Sequence, residues 1–324
     1  MKLLPLLSLL PRLPRPPVPR LSSALLGATA LELVVLAGHL VVYPFGLTPE
    51  RRPPTRPTST GTGTGTGTDA GTGTETTAGG PDPDRGPDEA APPATALPVT
   101  AAAAPPVLLL HGFIDNRSVF VLLRRALIRN GQGHGHRHRH RHLESLNYSP
   151  LTRDIRTAAG LLGRHVEEIC ARTGHHRVDI VGHSLGGLIA RYYVQRLGGD
   201  RRVRTLVTLG TPHGGTAVAP GAGVHPIVRQ MRGSSSVIEE LRAPAPGCRT
   251  RFVSFWSELD QVMVPIETAC VDHPDLDAVN VRVTGIGHLA LPVHPTVAAA
   301  IREALDAPGT EEDAAPADGA TSVA

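Results

Sequence analysis

The sequence predicts an α/β domain with a mostly parallel central sheet and helices on both faces. In residues 107–306, short apolar segments typical of buried strands alternate with longer segments of helical spacing. Strands that alternate with helices favour right-handed βαβ units, which place helices on both sides of a parallel sheet. The whole chain has 35 Gly and 31 Pro but 5 Phe, 4 Tyr and 1 Trp, which indicates that disordered sequence is attached to this domain.

Five regions follow one another along the chain. Residues 1–23 form a basic and apolar N-terminal segment, and residues 24–47 form an apolar run long enough to span a bilayer. Residues 48–106 are rich in Thr, Gly and Pro, and residues 307–324 are poor in apolar side chains. Neither region buries enough apolar surface to offset chain entropy, so we expect a flexible linker and a flexible tail around the folded domain at 107–306.

The apolar run 24–47 predicts a transmembrane anchor or a signal segment. It is longer than a typical signal-peptide core and no small-x-small cleavage site follows it, which favours an uncleaved anchor. Glu32 and His39 interrupt the run, and either side chain costs free energy in hydrocarbon. The flanking basic residues weakly favour an inside N-terminus. We therefore expect a membrane-anchored protein with an extracellular folded domain, or a secreted one.

Short apolar runs predict the strands of the sheet. In chain order they lie at Val107–Leu110, His142–Tyr148, Val178–Val181, Val203–Leu209, Arg251–Trp256 and Ala278–Val283. The helices are predicted from apolar residues that recur at helical spacing on one face. They lie at Ser118–Arg129, Asp154–Arg172, Leu185–Arg196 and Pro295–Leu305. The segment Pro220–Ala243 indicates one or two further short helices, which act either as a small lid or cap over the site or as ordinary packing.

A G-x-S-x-G motif follows the third strand directly and precedes a helix. Gly182 and Gly186 remove side chains that would clash in a tight strand-to-helix turn. The turn then holds the hydroxyl of Ser184 above the edge of the sheet, with the helix N-terminus aimed at developing negative charge. The pattern predicts a nucleophilic serine.

The end of the first strand predicts part of an oxyanion hole. His111, Gly112 and Phe113 form a loop there that can aim a backbone N–H at a substrate oxygen. We expect the N–H groups of Phe113 and Leu185 to bind the oxyanion together, each contributing roughly 3 kcal/mol of transition-state stabilisation.

A nucleophilic serine needs a base, and the base needs an acid that orients it. His288 lies between glycine-rich residues just after the last predicted strand and is the predicted base; His213 and His294 are its rivals. Asp260 follows the fifth strand, at the same sheet edge, and is the predicted acid. The alternatives to Asp260 are Glu258, Asp272, Asp275 and Asp277.

The segment from Val107 to about Leu305 resembles the α/β-hydrolase lipases, in particular the small secreted bacterial lipases and their actinobacterial relatives. The chain order of nucleophile, acid and base is that of this fold. The residues that carry the resemblance are His111 to Phe113, Gly182 to Gly187, Leu209 to Thr216, Asp260 with Val264 and Pro265, and Gly287 to Leu289.

The resemblance implies a serine hydrolase that cleaves carboxylic esters of fatty acids, often triacylglycerols, through an acyl-enzyme. It implies a catalytic triad of Ser184, Asp260 and His288, the oxyanion donors Phe113 and Leu185, and neither metal nor organic cofactor. A thioesterase or amide hydrolase would use the same triad, and a catalytically silent binding module would keep the same fold. The expected partners are a lipid or other ester substrate and, through the N-terminal segment, a membrane.

Other features modify this interpretation. The formal charge of +3 gives no reason to expect nucleic acid as a partner, and the three cysteines form no CxxC motif. Alternating His and Arg residues at 134–142 are interpreted as a solvated loop, with metal binding as the alternative. Cys248 and Cys270 flank the acid strand and its loop, and we expect them to pair if the domain is extracytoplasmic.

Overall fold

The computed structural model describes residues 23–46, 104–113, 115–128, 141–148, 154–218 and 225–307. All of the predicted linker before residue 104, most of the His/Arg tract and all of the tail after residue 307 lie outside these residues. The described residues after 103 hold the strands and helices expected of an α/β domain.

Six parallel strands form the sheet, in the order β2-β1-β3-β4-β5-β6. They are β1 (Val107–Leu110), β2 (Leu143–Leu146), β3 (Val178–His183), β4 (Val203–Leu209), β5 (Arg251–Ser257) and β6 (Asp277–Val283). The β3–β4 ladder aligns Gly182 with Thr208, and the β4–β5 ladder aligns Leu209 with Phe255. The carboxyl ends of the central strands therefore meet at one edge, where the predicted site residues follow them.

Successive side chains along each strand point to opposite faces of the sheet, so the core is divided into two layers. Leu108, Leu110 and Ile180 point into one layer, whereas Leu109 and Val181 point into the other. The first layer lies under α3 (Ile155–Thr173) and α4 (Leu185–Arg196), and the second lies under α2 (Val121–Ile128) and α7 (Pro295–Asp306). Both faces of the sheet are covered, as the nearly continuous apolar runs predicted.

Local signals in the sequence explain where the helices begin and end. The Asp154 side chain accepts from the Thr157 N–H at 2.9 Å and caps the start of α3. Gly174 ends α3 with a φ of 73°, a left-handed conformation that favours glycine. The segment predicted as a single helix from Ser118 begins with a 3-10 turn at Arg117–Phe120, because Asn116 caps that turn through the Ser118 N–H.

The segment between β4 and β5 contains α5 (Pro226–Gln230) and α6 (Ser236–Arg242). Ile227, Val228, Ile238 and Leu241 are fully or almost fully buried in the layer that α3 and α4 cover. The described part of this segment is therefore a packed cap and not a hinged flap. Residues 220–224, which belong to the predicted lid segment, lie outside the described residues.

The N-terminal apolar run forms α1 (Ser23–Gly46), of which Ser23–Pro44 is long and apolar enough to cross a membrane. One side of α1 contacts the domain, where Leu31 and Val35 pack against the layer under α2 and α7. The opposite side exposes large aliphatic side chains, namely Leu26, Leu33, Val34, Leu40 and Val41.

Cys248 and Cys270 are both free thiols in the structure, so the disulfide expected between them is absent. Cys248 precedes the first residue of β5, whereas Cys270 lies on the return from the opposite end of that strand. Their closeness in the sequence therefore does not bring the two sulfurs together.

Candidate active site

Ser184 lies at the junction between β3 and α4, in a strained backbone conformation. Its φ is 52°, and among the described non-glycine residues it alone has a positive φ. Ser184 N–H donates to the Leu209 carbonyl at 2.9 Å, which fixes the turn against the neighbouring strand. The hydroxyl does not cap α4. Strain of this kind is held only where the surrounding structure enforces it, and it is typical of a nucleophile elbow.

The glycines around Ser184 are required by close packing of the backbone. A Cβ on Gly182 would lie 2.5 Å from the Cα of Gly187, and a Cβ on Gly186 would lie 2.4 Å from the Leu110 carbonyl oxygen. Both are contacts with main-chain atoms, which cannot move away cheaply. The elbow is therefore pressed against the end of β1, where the predicted oxyanion loop begins.

Two side chains fix the peptide that links Gly112 to Phe113. The Gly112 carbonyl oxygen lies 2.8 Å from His111 Nδ1 and 3.1 Å from the Tyr148 hydroxyl, whose closer acceptor is the carbonyl oxygen of His111. The Tyr148 ring stacks on the His111 ring at 4.2 Å. Because the C=O and N–H of a trans peptide point in opposite directions, holding this carbonyl also fixes the direction of the Phe113 N–H. Leu185 is the first residue of α4, so its N–H has no partner within the helix.

Asp260 is held by the backbone of its own loop. Its Oδ1 accepts from the N–H groups of Val262 at 2.9 Å and Met263 at 3.1 Å. Its Oδ2 lies 2.7 Å from Nδ1 of His288, and both side chains are almost completely buried. Ser257 connects the two loops, because its hydroxyl accepts from the Leu259 N–H and donates to the Ile286 carbonyl.

Burial and the nearby carboxylates act in opposite directions on the pKa of His288. Burial, the largest influence, acts to lower the pKa of His288, but the Asp260 carboxylate outweighs it with help from Asp115 and Glu32. The pKa of His288 therefore lies above its ordinary value. A histidine oriented through Nδ1 by a carboxylate presents Nε2 as a base, which is the arrangement that activates a serine.

Ser184 and His288 meet at the same edge of the sheet but form no hydrogen bond with each other in the described structure. The His183 ring, next in sequence to Ser184, lies 4.9 Å from the His288 ring. A Cβ on Gly210 would lie 2.9 Å from His288 Nδ1, and the Thr211 hydroxyl donates to the Ser184 carbonyl at 3.0 Å. Catalytic hydrogen bonds of this kind often tighten only when substrate binds.

Neither rival histidine pairs with an acidic side chain in the described residues. His213 is fully buried against Arg191, with its Nε2 3.0 Å from the Thr208 hydroxyl, and burial lowers its pKa well below the ordinary value. His294 precedes the first residue of α7.

The alternatives to Asp260 make other contacts or lie at the surface. Glu258 pairs with Arg282, and Asp275 accepts from the Ala245 N–H. Asp272 and Asp277 are exposed.

A second buried pair, Asp115 and His183, was not among the predicted site residues. Asp115 Oδ2 lies 3.1 Å from His183 Nδ1, and His183 Nε2 lies 3.3 Å from the His288 carbonyl oxygen. Both ring nitrogens of His183 therefore lie within hydrogen-bond distance of an oxygen atom. Burial acts to raise the pKa of Asp115, but His183 and His39 outweigh it and hold that pKa below its ordinary value.

Asp115 gives only a weak signal in the sequence. It follows His111, Gly112 and Phe113 by two residues, on the loop that leaves β1. Its partner His183 is far along the chain, so their contact follows from the pairing of β1 with β3.

The described residues contain no group of three or more His, Cys, Asp or Glu side chains arranged to hold a metal ion. The His/Arg tract, for which metal binding was the alternative interpretation, lies almost entirely outside these residues.

Comparisons with known proteins agree with this fold. Residues 106–245 match the family model described as palmitoyl protein thioesterase. Aspergillus fumigatus lipase B superposes with a TM-score of 0.53 at 15% identity, over 64% of this chain and 53% of the lipase, so the chain spans about half of that protein. The mature form of Bacillus licheniformis lipase BlEst2 superposes with a TM-score of 0.51 at 16% identity, over 63% of this chain and 92% of the lipase.

The parallel sheet with helices on both faces is the fold that this chain shares with these lipases. The protein is therefore an α/β-hydrolase by fold, of the kind to which lipases and esterases belong.

Proposed function

We propose that the protein is a serine hydrolase that cleaves carboxylic esters of fatty acids, as a lipase or esterase. Ser184 is the nucleophile, His288 the general base and Asp260 the acid that orients it. The observation that most supports this proposal is the buried hydrogen bond between Asp260 and His288, which lies beside the strained turn of Ser184.

The proposed reaction is acyl transfer in two stages. His288 takes the proton of Ser184 while the serine oxygen attacks the ester carbonyl, and the N–H groups of Phe113 and Leu185 bind the oxyanion. The alcohol leaves with a proton from His288. Water then attacks the acyl-enzyme with His288 again as base, which releases the fatty acid and restores Ser184.

A thioesterase is the second candidate. The match of residues 106–245 to the palmitoyl protein thioesterase model favours it, because that segment includes both His111 to Phe113 and the elbow. The same triad and oxyanion donors would act on an acyl thioester, with a thiol as the leaving group. A silent binding module of the same fold is the candidate of a different class.

We further propose that α1 brings the enzyme to a membrane, as an anchor with the catalytic domain outside or as the signal segment of a secreted protein. The length and apolar composition of Ser23–Pro44 support this proposal. The exposed aliphatic side chains of α1 are the groups that would meet lipid.

The test is hydrolysis of nitrophenyl esters of increasing chain length beside an acyl thioester series, with Ser184→Ala as the control. We expect the wild-type chain to hydrolyse the esters and to react with a fluorophosphonate at Ser184, and the variant to do neither. Faster turnover of thioesters would favour the second candidate. Equal activity in wild type and Ser184→Ala, or the absence of both activity and labelling, would reject a serine hydrolase.

A further inference from the structure

Glu32 of α1 contacts the loop that carries His288. Its two carboxylate oxygens accept from the N–H groups of Leu289 at 2.9 Å and Ala290 at 3.0 Å. These are the two residues that follow His288 in the chain. A carboxylate that accepts two backbone N–H groups makes charge-assisted hydrogen bonds, which are stronger than neutral ones.

The other side of the same backbone is held by His183, whose Nε2 lies 3.3 Å from the His288 carbonyl oxygen. The His288 carbonyl and the two N–H groups after it are thus fixed by side chains from two separate elements, β3 and α1. The imidazole of His288 is attached to this backbone, so its direction depends on both contacts.

Several further contacts place α1 against the domain. Ala28 is almost completely buried, and Leu31 packs into the layer under α2 and α7. The Asn116 amide donates to the Tyr43 carbonyl at 2.8 Å, and His39 Nδ1 lies 3.9 Å from Asp115 Oδ1. These contacts follow one face of α1, the face on which Glu32 and His39 lie.

We propose that Glu32 is a positioning residue for His288, so that α1 is a part of the active site while it is docked on the domain and does not cross a membrane in that position. This inference rests on the proposed function. It also explains why the apolar run contains Glu32 and His39. Burying either side chain in hydrocarbon would cost free energy, whereas here both contact the domain.

Gly287 provides a way to test the contact from the other partner. A Cβ at Gly287 would lie 2.7 Å from Cδ and 2.8 Å from Cγ and Oε1 of Glu32, and those are its three nearest atoms. Gly287 does not have a positive φ, so alanine is compatible with its backbone. Because the Glu32 side chain is flexible, Gly287→Ala should displace the carboxylate from the loop without unfolding the domain.

The experiment compares full-length variants on a soluble short-chain nitrophenyl ester. We expect Glu32→Leu to lower kcat on the order of tenfold or more with KM nearly unchanged, since small misplacement of a catalytic group costs up to ~100-fold. Glu32→Gln keeps one acceptor oxygen and should recover part of the loss. Leu33→Gln is the matched control, because Leu33 is the next residue and 62% exposed on the outer face.

A double-mutant cycle and a pH profile separate positioning from a general loss of structure. Gly287→Ala should lower kcat in the wild-type background and have little further effect beside Glu32→Leu. Glu32, with Asp260 and Asp115, is one of the groups that raise the pKa of His288. The acid limb of kcat/KM should therefore move to lower pH in Glu32→Leu and stay in place in Leu33→Gln.

Three results would overturn the inference while leaving the proposed function intact. One is a kcat of Glu32→Leu equal to that of the wild type, which is the result expected if α1 serves only as an anchor. Another is full additivity of the Glu32 and Gly287 substitutions. The third is an active mature protein whose N-terminus, measured by intact mass, begins after residue 46. Absence of esterase and thioesterase activity in the wild-type chain would instead reject the proposed function.

Discussion

Ser184 has a strained backbone and a hydroxyl that makes no helix-capping hydrogen bond, two features that a serine serving only to start a helix would not combine. Its backbone is held at a φ of 52°, and its hydroxyl is not used to cap the helix that it precedes. The N–H to Leu209 and the carbonyl contact with Thr211 fix the backbone on both sides. The strain is therefore imposed by the neighbouring strand and loop.

Asp260→Asn should lower kcat by about 10⁴-fold, because the amide favours the wrong tautomer of His288. The base acts when neutral, so kcat/KM rises as pH increases through the pKa of His288, which lies above its ordinary value. Asp260 raises that pKa, so the acid limb should move to lower pH in the variant. A pH profile of ester hydrolysis measures both effects, with Glu258→Gln as the surface control. An unchanged acid limb would contradict the proposed role of Asp260.

Tyr148→Phe should lower kcat by roughly tenfold while KM changes little, because a misplaced oxyanion donor loses part of a contribution of about 3 kcal/mol. The variant removes the hydroxyl that contacts the carbonyl oxygens of His111 and Gly112 and keeps the ring that stacks on His111. Steady-state kinetics with a short-chain ester tests this. A kcat equal to that of the wild type would show that His111 alone orients the peptide before Phe113.

Some site residues were predictable from the sequence and others were not, for a physical reason. Ser184 was predicted as nucleophile because its glycines, strand and helix are local. His288 and Asp260 were placed by the rule that residues after parallel strands share one edge. Asp115 and Glu32 contact the site through partners far along the chain, and no local pattern reports such contacts.

At the scale of elements, the sequence predicted the helices and strands closely where both faces of an element are buried. Leu185–Arg196 and Val203–Leu209 have the predicted bounds. The strand predicted at His142–Tyr148 is shorter, Leu143–Leu146, because β2 lies at the edge of the sheet and its pairing with β1 sets its length. The side of α1 that contacts the domain depends on tertiary packing and was not predictable.

The pairing of β3 with β4 contains a buried ion pair whose removal we expect to be costly. Arg204 binds Asp179 through two hydrogen bonds of 3.0 and 2.7 Å, and Asp179 is fully buried. Arg204→Met should destabilise the domain by about 3–5 kcal/mol, because it leaves an uncompensated buried charge. Denaturant unfolding measures the loss.

The exposed pair of Arg202 and Glu167 is the control for this prediction. Arg202→Met should cost no more than about 1 kcal/mol, since water screens that pair. Adding Asp179→Leu to Arg204→Met should recover much of the stability, because no charge is then left buried. Equal losses in the two single variants would show that burial of Asp179 is not the cause.

At the scale of the whole molecule, the α/β fold was predictable because alternating periodicities extend over the domain, whereas its bounds at residues 107 and 306 stay a prediction. We expect a protein limited to residues 103–307 to fold cooperatively, since both layers of its core lie within that range. Thermal unfolding by circular dichroism tests this prediction. A non-cooperative transition would mean that Leu31 and Val35 of α1 are needed to complete the second layer.

The order of the three proposed catalytic residues along the chain has a consequence for biosynthesis. The strand that leads to Ser184 pairs with strands made before and just after it, whereas the base at position 288 comes after every strand of the sheet. A nascent chain still attached to the ribosome thus has its nucleophile in place before it has a base. In the proposed mechanism, hydrolysis therefore requires that the chain has been synthesised past residue 288 and that this loop has closed onto the finished sheet.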